Sequence, residues 1–359
     1  MFVEKRYEEI AKRSDIVWID VRSRSEFQEA TIPDAVNIPL FSDEERAQIG
    51  TVYKQVSKEV AMELGLTLAS AKLPALVADI RKHAHGKMPA IFCWRGGMRS
   101  KTVATVLDLM GISSIRLTGG YRAYRQVVVD TLNRWTMQDL PPIVVLHGMT
   151  GVGKTSVLHM LAERGEHVLD LEGLAGHRGS VFGGIGLEVA NQRQFDSLLV
   201  TRLEELKDSP YLFLEAESRR IGRVTMPTFL FEAKQAGFNI ELTAPLAVRV
   251  ARTMFQYHLD NEPLFAEQVR QALQYIEKRF SPDLRIRVTE WLAAGDYASL
   301  IEALLVEYYD PRYQHAMDRY SREFTVIDAT RFDRAIEQIK AFVVTKWPAP
   351  AWNRERDSF

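Results

Sequence analysis

The sequence holds a single cysteine, Cys93, among its 359 residues. One thiol cannot form an intramolecular disulfide, which excludes a cystine-stapled fold and fits a reducing cytoplasm. Long hydrophobic runs are missing too. No window approaches the ~18 uninterrupted apolar residues of a membrane span, and Met1-Phe2-Val3-Glu4-Lys5-Arg6 turns charged before a signal-like apolar region can form. The expectation is a cytoplasmic protein with no membrane partner. There is no internal repeat and no low-complexity tract, which excludes repeat solenoids and leaves ordinary packed domains. Net charge is nearly absent, at -1, but it is unevenly spread: residues 1–135 carry 20 Lys+Arg against 16 Asp+Glu, and residues 136–359 carry 26 against 31. Within 94–134, seven basic residues stand against two acidic ones. Such a stretch can attract phosphates or nucleic acid, or be no more than a solvated basic surface.

What is present is a globular composition, 46% hydrophobic and 26% charged, on a chain long enough for two domains. Apolar runs at 16–21, 90–93 and 114–117 read as buried strands, with helical periodicity over 100–109. Strands alternating with helices imply a mostly parallel α/β sheet. Gln138-Asp139-Leu140-Pro141-Pro142 is the expected linker, since paired prolines interrupt helix and sheet alike. A second α/β unit opens after it, with a strand at 143–146, a glycine loop, a helix at 155–164, and further strands at 167–171, 211–214 and 238–242. From about 246 to 320 the pattern turns helical, notably over 265–280 and 297–308, and the residues from Trp347 on read as a loose tail. The expected domains are 1–137 and 138–359. The second would comprise an α/β core over about 142–245 and a helical extension over about 246–346.

Two loops carry chemistry. Cys93-Trp94-Arg95-Gly96-Gly97-Met98-Arg99-Ser100 puts a cysteine at a strand end, followed by a glycine-bearing turn that opens a helix. Backbone N–H groups and the positive end of the helix then gather at the sulfur, Arg95 and Arg99 add charge, and all favour a thiolate. The plain alternative is a small buried hydrophobe, the usual fate of a lone cysteine. The Gly96-Gly97 turn and Arg99-Ser100 favour chemistry, attack on electrophilic sulfur, selenium or phosphorus. Cys-x5-Arg-Ser resembles the loop of cysteine phosphatases and equally that of rhodaneses, and Phe92 stands where most phosphatases have histidine. Ile19-Asp20-Val21-Arg22-Ser23-Arg24-Ser25-Glu26-Phe27 and Ile32-Pro33-Asp34-Ala35-Val36-Asn37-Ile38-Pro39 resemble the two rhodanese signatures, with Thr31 and Asp34 in place of the usual His and Gly. Gly119-Gly120-Tyr121-Arg122 resembles the stretch that follows the last rhodanese strand.

Gly148-Met149-Thr150-Gly151-Val152-Gly153-Lys154-Thr155 fits G-x-x-x-x-G-K-[ST] at every specified position, between a strand and a helix. The glycines let N–H groups approach phosphate oxygens, Lys154 neutralises them, and the Thr155 hydroxyl can meet Mg2+. Glu215 ends a Walker-B-like strand, with Glu where Asp is typical. Glu217 or Asp170 could instead orient a metal, and either could be a merely solvated acid. The grip needs only a diphosphate, so ATP is not implied.

Together the two halves resemble the tRNA 2-selenouridine synthase family over nearly the whole chain. Besides the loops, the resemblance rests on Asp43-Glu44-Glu45-Arg46, Gly50-Thr51-Val52-Tyr53-Lys54-Gln55, Asp170-Leu171-Glu172-Gly173-Leu174-Ala175, His177-Arg178-Gly179-Ser180-Val181-Phe182-Gly183, Glu217-Ser218-Arg219-Arg220-Ile221-Gly222 and Glu307-Tyr308-Tyr309-Asp310-Pro311-Arg312-Tyr313. It implies an N-terminal rhodanese-like parallel-sheet domain followed by a P-loop NTPase-like α/β domain with a helical C-terminal extension. It also implies a tRNA substrate, the anticodon stem-loop bearing wobble 2-thiouridine. Geranyl diphosphate and selenophosphate would be co-substrates, a transient selenophosphate supplier a further partner, and no cofactor would be tightly bound. The thio group would first take a geranyl unit, and selenium would then replace the S-geranyl group.

On this resemblance Cys93 carries or delivers selenium, within an anion loop of Arg95, Gly96, Gly97, Arg99 and Ser100. Gly148, Thr150, Gly151, Gly153, Lys154 and Thr155 would grip the diphosphate. Asp170, Glu172, His177, Arg178, Ser180, Glu215, Glu217 and Arg219 would surround it. A groove between the domains would hold the anticodon loop, with Arg95, Arg122 and Arg125 on phosphates. Phe182, Phe195 and Tyr257 read as core aromatics rather than a geranyl pocket. Two rival readings are a cysteine phosphatase or sulfurtransferase fused to a small-molecule kinase, and a non-catalytic nucleotide-gated binding module. Neither accounts for family-like blocks in both halves.

Overall fold

The computed structural model describes residues 2–257, 263–317 and 323–347. The chain forms two compact units, Met1–Arg134 with Arg193–Val200, and Trp135–Gln192 with Thr201–Phe359. Among the described residues no single helix is long and apolar enough to cross a membrane.

The first unit is built on a five-stranded, wholly parallel sheet. Strands β1 (Val3–Lys5), β2 (Ile16–Asp20), β3 (Val36–Asn37), β4 (Met88–Phe92) and β5 (Ile115–Leu117) lie in the order β1-β5-β4-β2-β3. The central strands bury Ile19, Ile91 and Phe92 completely, as expected of apolar runs in a parallel sheet covered on both faces. One face packs on Leu76, Ile80, Val103 and Leu107, the other on Ile10, Ile32, Tyr121 and Tyr124. Residues 43–84, of which the sequence offered only the family-like blocks 43–46 and 50–55, form the helices Asp43–Gln55, Lys58–Ser70 and Leu73–Ala84. The first of these buries no residue at all, so it leaves no apolar period to read.

The second unit contains β6 (Ile143–His147), β7 (Leu212–Glu215), β8 (Arg220–Ile221), β9 (Val224–Thr225), β10 (Phe238–Thr243) and β11 (Phe324–Asp328). Its main sheet is parallel, in the order β11-β10-β6-β7, and β8 and β9 form a small antiparallel ribbon. Two expectations are corrected here. The strand anticipated at 167–171 shrinks to a single bridge, Val168 with Phe213. Asp170 instead caps a short helix, Leu171–Ala175, by accepting the Gly173 N–H at 2.7 Å, and this local bond turns the chain out of the sheet. Nor is 246–346 all helical extension. β11 returns to pair with β10, and the helix Phe332–Lys346 sends Ala335, Ile336 and Ile339 into the same core as Val144, Leu146 and Leu242.

The helical part ends with Asp310–Met317 and has its own core around Leu273, Phe280, Leu284, Leu300, Leu304 and Tyr308. Trp347 is not part of a loose tail: its ring packs 5.4 Å from Tyr211 and 5.2 Å from Phe238. The rest of the expected tail, 348–359, and the end of the expected helical stretch, 318–320, lie outside the described residues.

Candidate functional site

β4 delivers Cys93 to its end, where the residue is 3% exposed. The sulfur lies 3.2 Å from Ser100 Oγ, in the first turn of the helix Met98–Leu109, and so sits at the positive end of that helix. The loop carbonyls are drawn outward. Tyr121 N–H donates to Cys93 O and Arg122 N–H to Trp94 O, both at 2.9 Å, and the Arg116 guanidinium donates to Gly96 O. In a trans peptide the next N–H points the opposite way, so the amides of Trp94, Arg95 and Gly97 turn away from these donors, which is how an anion nest is made. Gly120, at φ +60°, is what permits the close approach: a Cβ there would fall inside the Cys93 carbonyl and the Gly96 amide.

The charges around this loop are arranged differently from expectation. Arg99 is not a free anion clamp: its guanidinium donates to Glu26 at 2.5 and 3.1 Å, and Arg46 stands 3.1 Å from the same carboxylate. Burial opposes the Glu26 charge, but the Arg99 hydrogen bond and the two guanidinium charges outweigh it and hold the carboxyl below its ordinary range. Arg95 and Arg122 are exposed. Arg125 departs from the expected phosphate contact, since it pairs with Asp196 at 2.5 Å. The two rhodanese-pattern departures also gain a physical reason. Thr31 Oγ1 donates to Asp20 at 2.9 Å, and Asp34 sits at φ +62°, where glycine is unstrained and aspartate is tolerated.

In the second unit the phosphate loop runs from β6 into the helix Lys154–Glu163, which Gly153 opens at φ +93°. Alternate carbonyls are tied to cations: Gly148 O to Lys154 Nζ at 3.0 Å, Thr150 O to Arg249 Nε at 2.9 Å, and Val152 O to Arg252 Nη1 at 2.6 Å. The amides of Met149, Gly151 and Gly153 therefore point the other way, forming a cradle for phosphate oxygens. Asp310 anchors Arg249 at 2.6 and 3.0 Å, and Arg252 lies 3.9 Å over the Phe332 ring. Neither arginine was a sequence candidate. Asp310 lay within the 307–313 block, the only signal that pointed to this latch.

Thr155 Oγ1 donates to Glu172 at 3.1 Å, and Glu172, Glu215 and Glu217 bring carboxylate oxygens within 4.8 Å of one another. The 177–183 block closes over them as bare backbone: a Cβ on Gly179 would sit 2.5 Å from Glu217 Oε2 and 2.7 Å from Glu172 Oε1. Glu215 is 1% exposed and its Oε1 has no partner. Burial pushes the Glu172 and Glu215 carboxyls well above their ordinary range, against the pull of the Lys154 charge and with repulsion inside the cluster adding to the rise. An orphaned buried oxygen among hard oxygen donors fits a divalent cation of the Mg2+ type. Of the two acids the sequence offered for a metal, Glu217 joins the cluster. Asp170 does not, because it caps its helix and faces His159 at 2.7 Å.

The remaining candidates divide. Ser180 Oγ lies 3.2 Å from Tyr257 OH, and the Arg178 guanidinium sits 5.1 Å over the same ring. His177 packs against Gly183 and Gly222, and burial lowers its pKa. Arg219 is exposed and donates to Thr228 at 2.8 Å.

A buried acid with a raised native pKa binds more protons folded than unfolded, so its contribution to stability falls as pH rises above the ordinary carboxylate range. In cation-free buffer the thermal midpoint should therefore drop more between about pH 5 and about pH 8 in the wild type than in Glu215→Gln. Mg2+ should recover the midpoint most at the alkaline end. Equal pH slopes for the two proteins, with no response to Mg2+, would count against a cation site here.

Residues 141–342 match the family model of the tRNA 2-selenouridine synthase AAA domain, and residues 4–127 match that of the Rhodanese-like domain. The chain belongs to the tRNA 2-selenouridine synthase family. Similar proteins carrying that name include one from Nitrosomonas europaea, 32% identical over 313 residues, covering 85% of this chain and 80% of the relative. One from Shewanella halifaxensis is 33% identical over 329 residues, covering 84% and 88%. One from Pseudomonas putida is 34% identical over 333 residues, with the same coverage. The match to a Rhodanese-like domain spans the Cys93 loop.

Proposed function

We propose that this member of the family is itself a tRNA 2-selenouridine synthase that works in two steps on wobble 2-thiouridine. In the first, the thiocarbonyl sulfur attacks C1 of geranyl diphosphate; the S–C bond forms, the C–O bond breaks, and the diphosphate leaves with the electron pair. Lys154 and the amides of Met149, Gly151 and Gly153 would receive that diphosphate charge. In the second step the selenium of selenophosphate adds at C2 of the base and the geranyl thiolate departs with the C–S electron pair; water then attacks phosphorus, the Se–P bond breaks, and phosphate leaves the selenium on C2. Alkylation makes sense of the sequence of steps, because it turns a poorly leaving sulfur into a thiolate leaving group. Cys93 would hold or deliver the selenium within its amide-lined loop.

The observation that carries the reading is the pairing, in one chain, of a buried thiol at a helix N-terminus with a separate phosphate cradle. A Mg2+ held by Glu172, Glu215 and Glu217 beside Thr155 would supply positive charge to a bound diphosphate. Arg95 and Arg122 are exposed cations near the Cys93 loop and would be available to tRNA phosphates. The test is nucleoside mass spectrometry of tRNA from cells lacking the gene. The expected result is loss of 2-selenouridine with 2-thiouridine retained; persistence of 2-selenouridine would refute the assignment.

A further inference from the structure

Arg99 stands in the first turn of the helix Met98–Leu109, where a free guanidinium would grip a tetrahedral oxyanion held by the amides of the Cys93 loop. Its fork is already occupied. Nη1 and Nη2 both donate to the Glu26 carboxylate, at 2.5 and 3.1 Å, in the bidentate pairing that a phosphoryl group would otherwise receive. The contact is not a loose surface pair, since the two side chains are 20% and 11% exposed. The carboxylate is also held from its own side. Glu26 is the third residue of the helix Arg24–Glu29 and accepts the Ser23 N–H at 3.2 Å, the return bond of a capping box. The start of that helix is fixed in turn by Asp43, which accepts the Ser25 N–H at 3.1 Å. Arg46, one turn further along the helix Asp43–Gln55, places a second guanidinium 3.1 Å from Glu26.

We infer that Glu26 is a specificity-determining residue: by holding the Arg99 fork it closes the Cys93 loop to tetrahedral dianions such as phosphate, and leaves the loop amides to a single chalcogen atom carried on the sulfur. The charges facing Arg99 are those of Glu26, Cys93 and Asp20, and Asp20 is committed to Arg22 at 2.6 Å. The charges facing Glu26 are Arg99 and Arg46. A dianion entering the loop would meet the Glu26 charge and would have to break two charge-assisted bonds to win Arg99. An atom bonded to Cys93 needs neither. The exclusion has a chemical use. With Arg99 free to hold the phosphoryl end of selenophosphate, the Cys93 thiolate would be placed to attack phosphorus. The S–P bond would form, the Se–P bond would break, selenide would leave with the electron pair, and the phosphoryl group would be stranded on the protein. Glu26 acts through Arg99 and touches no reacting atom, so it is a positioning residue. The inference holds whether or not prenyl transfer precedes selenation.

Because Cys93 is the single cysteine, iodoacetamide labelling of the full-length protein reads this loop alone. In the wild type, inorganic phosphate up to about 10 mM, with ionic strength matched by chloride, should leave the labelling rate unchanged. Glu26→Gln keeps an acceptor for the Ser23 N–H and so preserves the capping box. In that variant phosphate should protect Cys93, with half-protection at a concentration at least ~10-fold lower than in the wild type. The pH of half-maximal labelling should also fall, by about one unit, since the Arg99 charge is no longer balanced. Glu26→Asp, which keeps the carboxylate, should bring both readings back toward the wild type. Adding Arg99→Met to Glu26→Gln should abolish the gained protection. Three results would overturn the inference: phosphate protection in the wild type, a folded Glu26→Gln protein with unchanged labelling in both respects, or full protection persisting without Arg99. The first of these decides the matter on the wild-type protein alone, whatever the stability of the variants.

Discussion

Cells in which Cys93→Ser replaces the wild-type protein should lose 2-selenouridine and accumulate S-geranyl-2-thiouridine, whereas Lys154→Ala should leave their tRNA as 2-thiouridine. Serine preserves the size of the residue and a polar contact toward Ser100, now 3.2 Å from the sulfur. It replaces a thiol with a hydroxyl that ionises far less readily and is a weak carrier for selenium. Lys154→Ala removes the charge facing a bound diphosphate together with the 3.0 Å bond to Gly148 O that helps hold the loop. Geranyl transfer should then fail before any selenium is needed. Groups that act in separate steps give distinct blocked intermediates, whereas members of one catalytic unit fail alike. Nucleoside analysis of the two strains decides between these cases. If Cys93→Ser also stops at 2-thiouridine, the cysteine is required before selenation and the division of labour is wrong.

Both loops were legible because their chemistry is local. A glycine-rich turn between a strand and a helix dictates its own backbone path, and the Cys93 and Lys154 positions follow from residues within eight places of one another. The carboxylate cluster was legible only as separate acids. It forms because β6 and β7 pair in the register that sets Leu146 beside Glu215, and because the Asp170 cap turns Glu172 back toward Thr155. The arginines that tie the phosphate loop were not legible at all. Arg249 and Arg252 reach carbonyls about a hundred positions earlier in the chain, a distance no periodicity records. β11 was missed for a similar reason, since its place beside β10 depends on a return to the sheet after the long helical stretch.

Replacing Arg22 by methionine should destabilise the first unit by about 3–5 kcal/mol, the range for removing one partner of a buried ion pair. Arg22 and Asp20 are 1% and 0% exposed, joined at 2.6 Å through Arg22 Nη2 and at 3.0 and 3.1 Å through Nε. The guanidinium also donates to Ala30 O at 2.7 Å and lies 4.3 Å over the Tyr121 ring. Methionine fills much of the space, so the loss comes chiefly from an aspartate left charged among apolar neighbours with the Thr31 hydroxyl and the backbone N–H of residue 22 as donors. For a unit of this size the unfolding midpoint should fall by about 10 °C or more. Asp20→Asn combined with Arg22→Met should recover part of the loss, because it removes the buried charge left without its partner. The pair also supports the site, since the Tyr121 ring rests on Arg22 while the Tyr121 N–H holds the Cys93 carbonyl. Below its unfolding transition, Arg22→Met should therefore expose Cys93 to alkylation faster than the wild type does. Urea unfolding and iodoacetamide labelling measure the two effects. A loss below about 1 kcal/mol, with unchanged labelling, would mean that the pair neither stabilises the unit nor holds the cysteine loop.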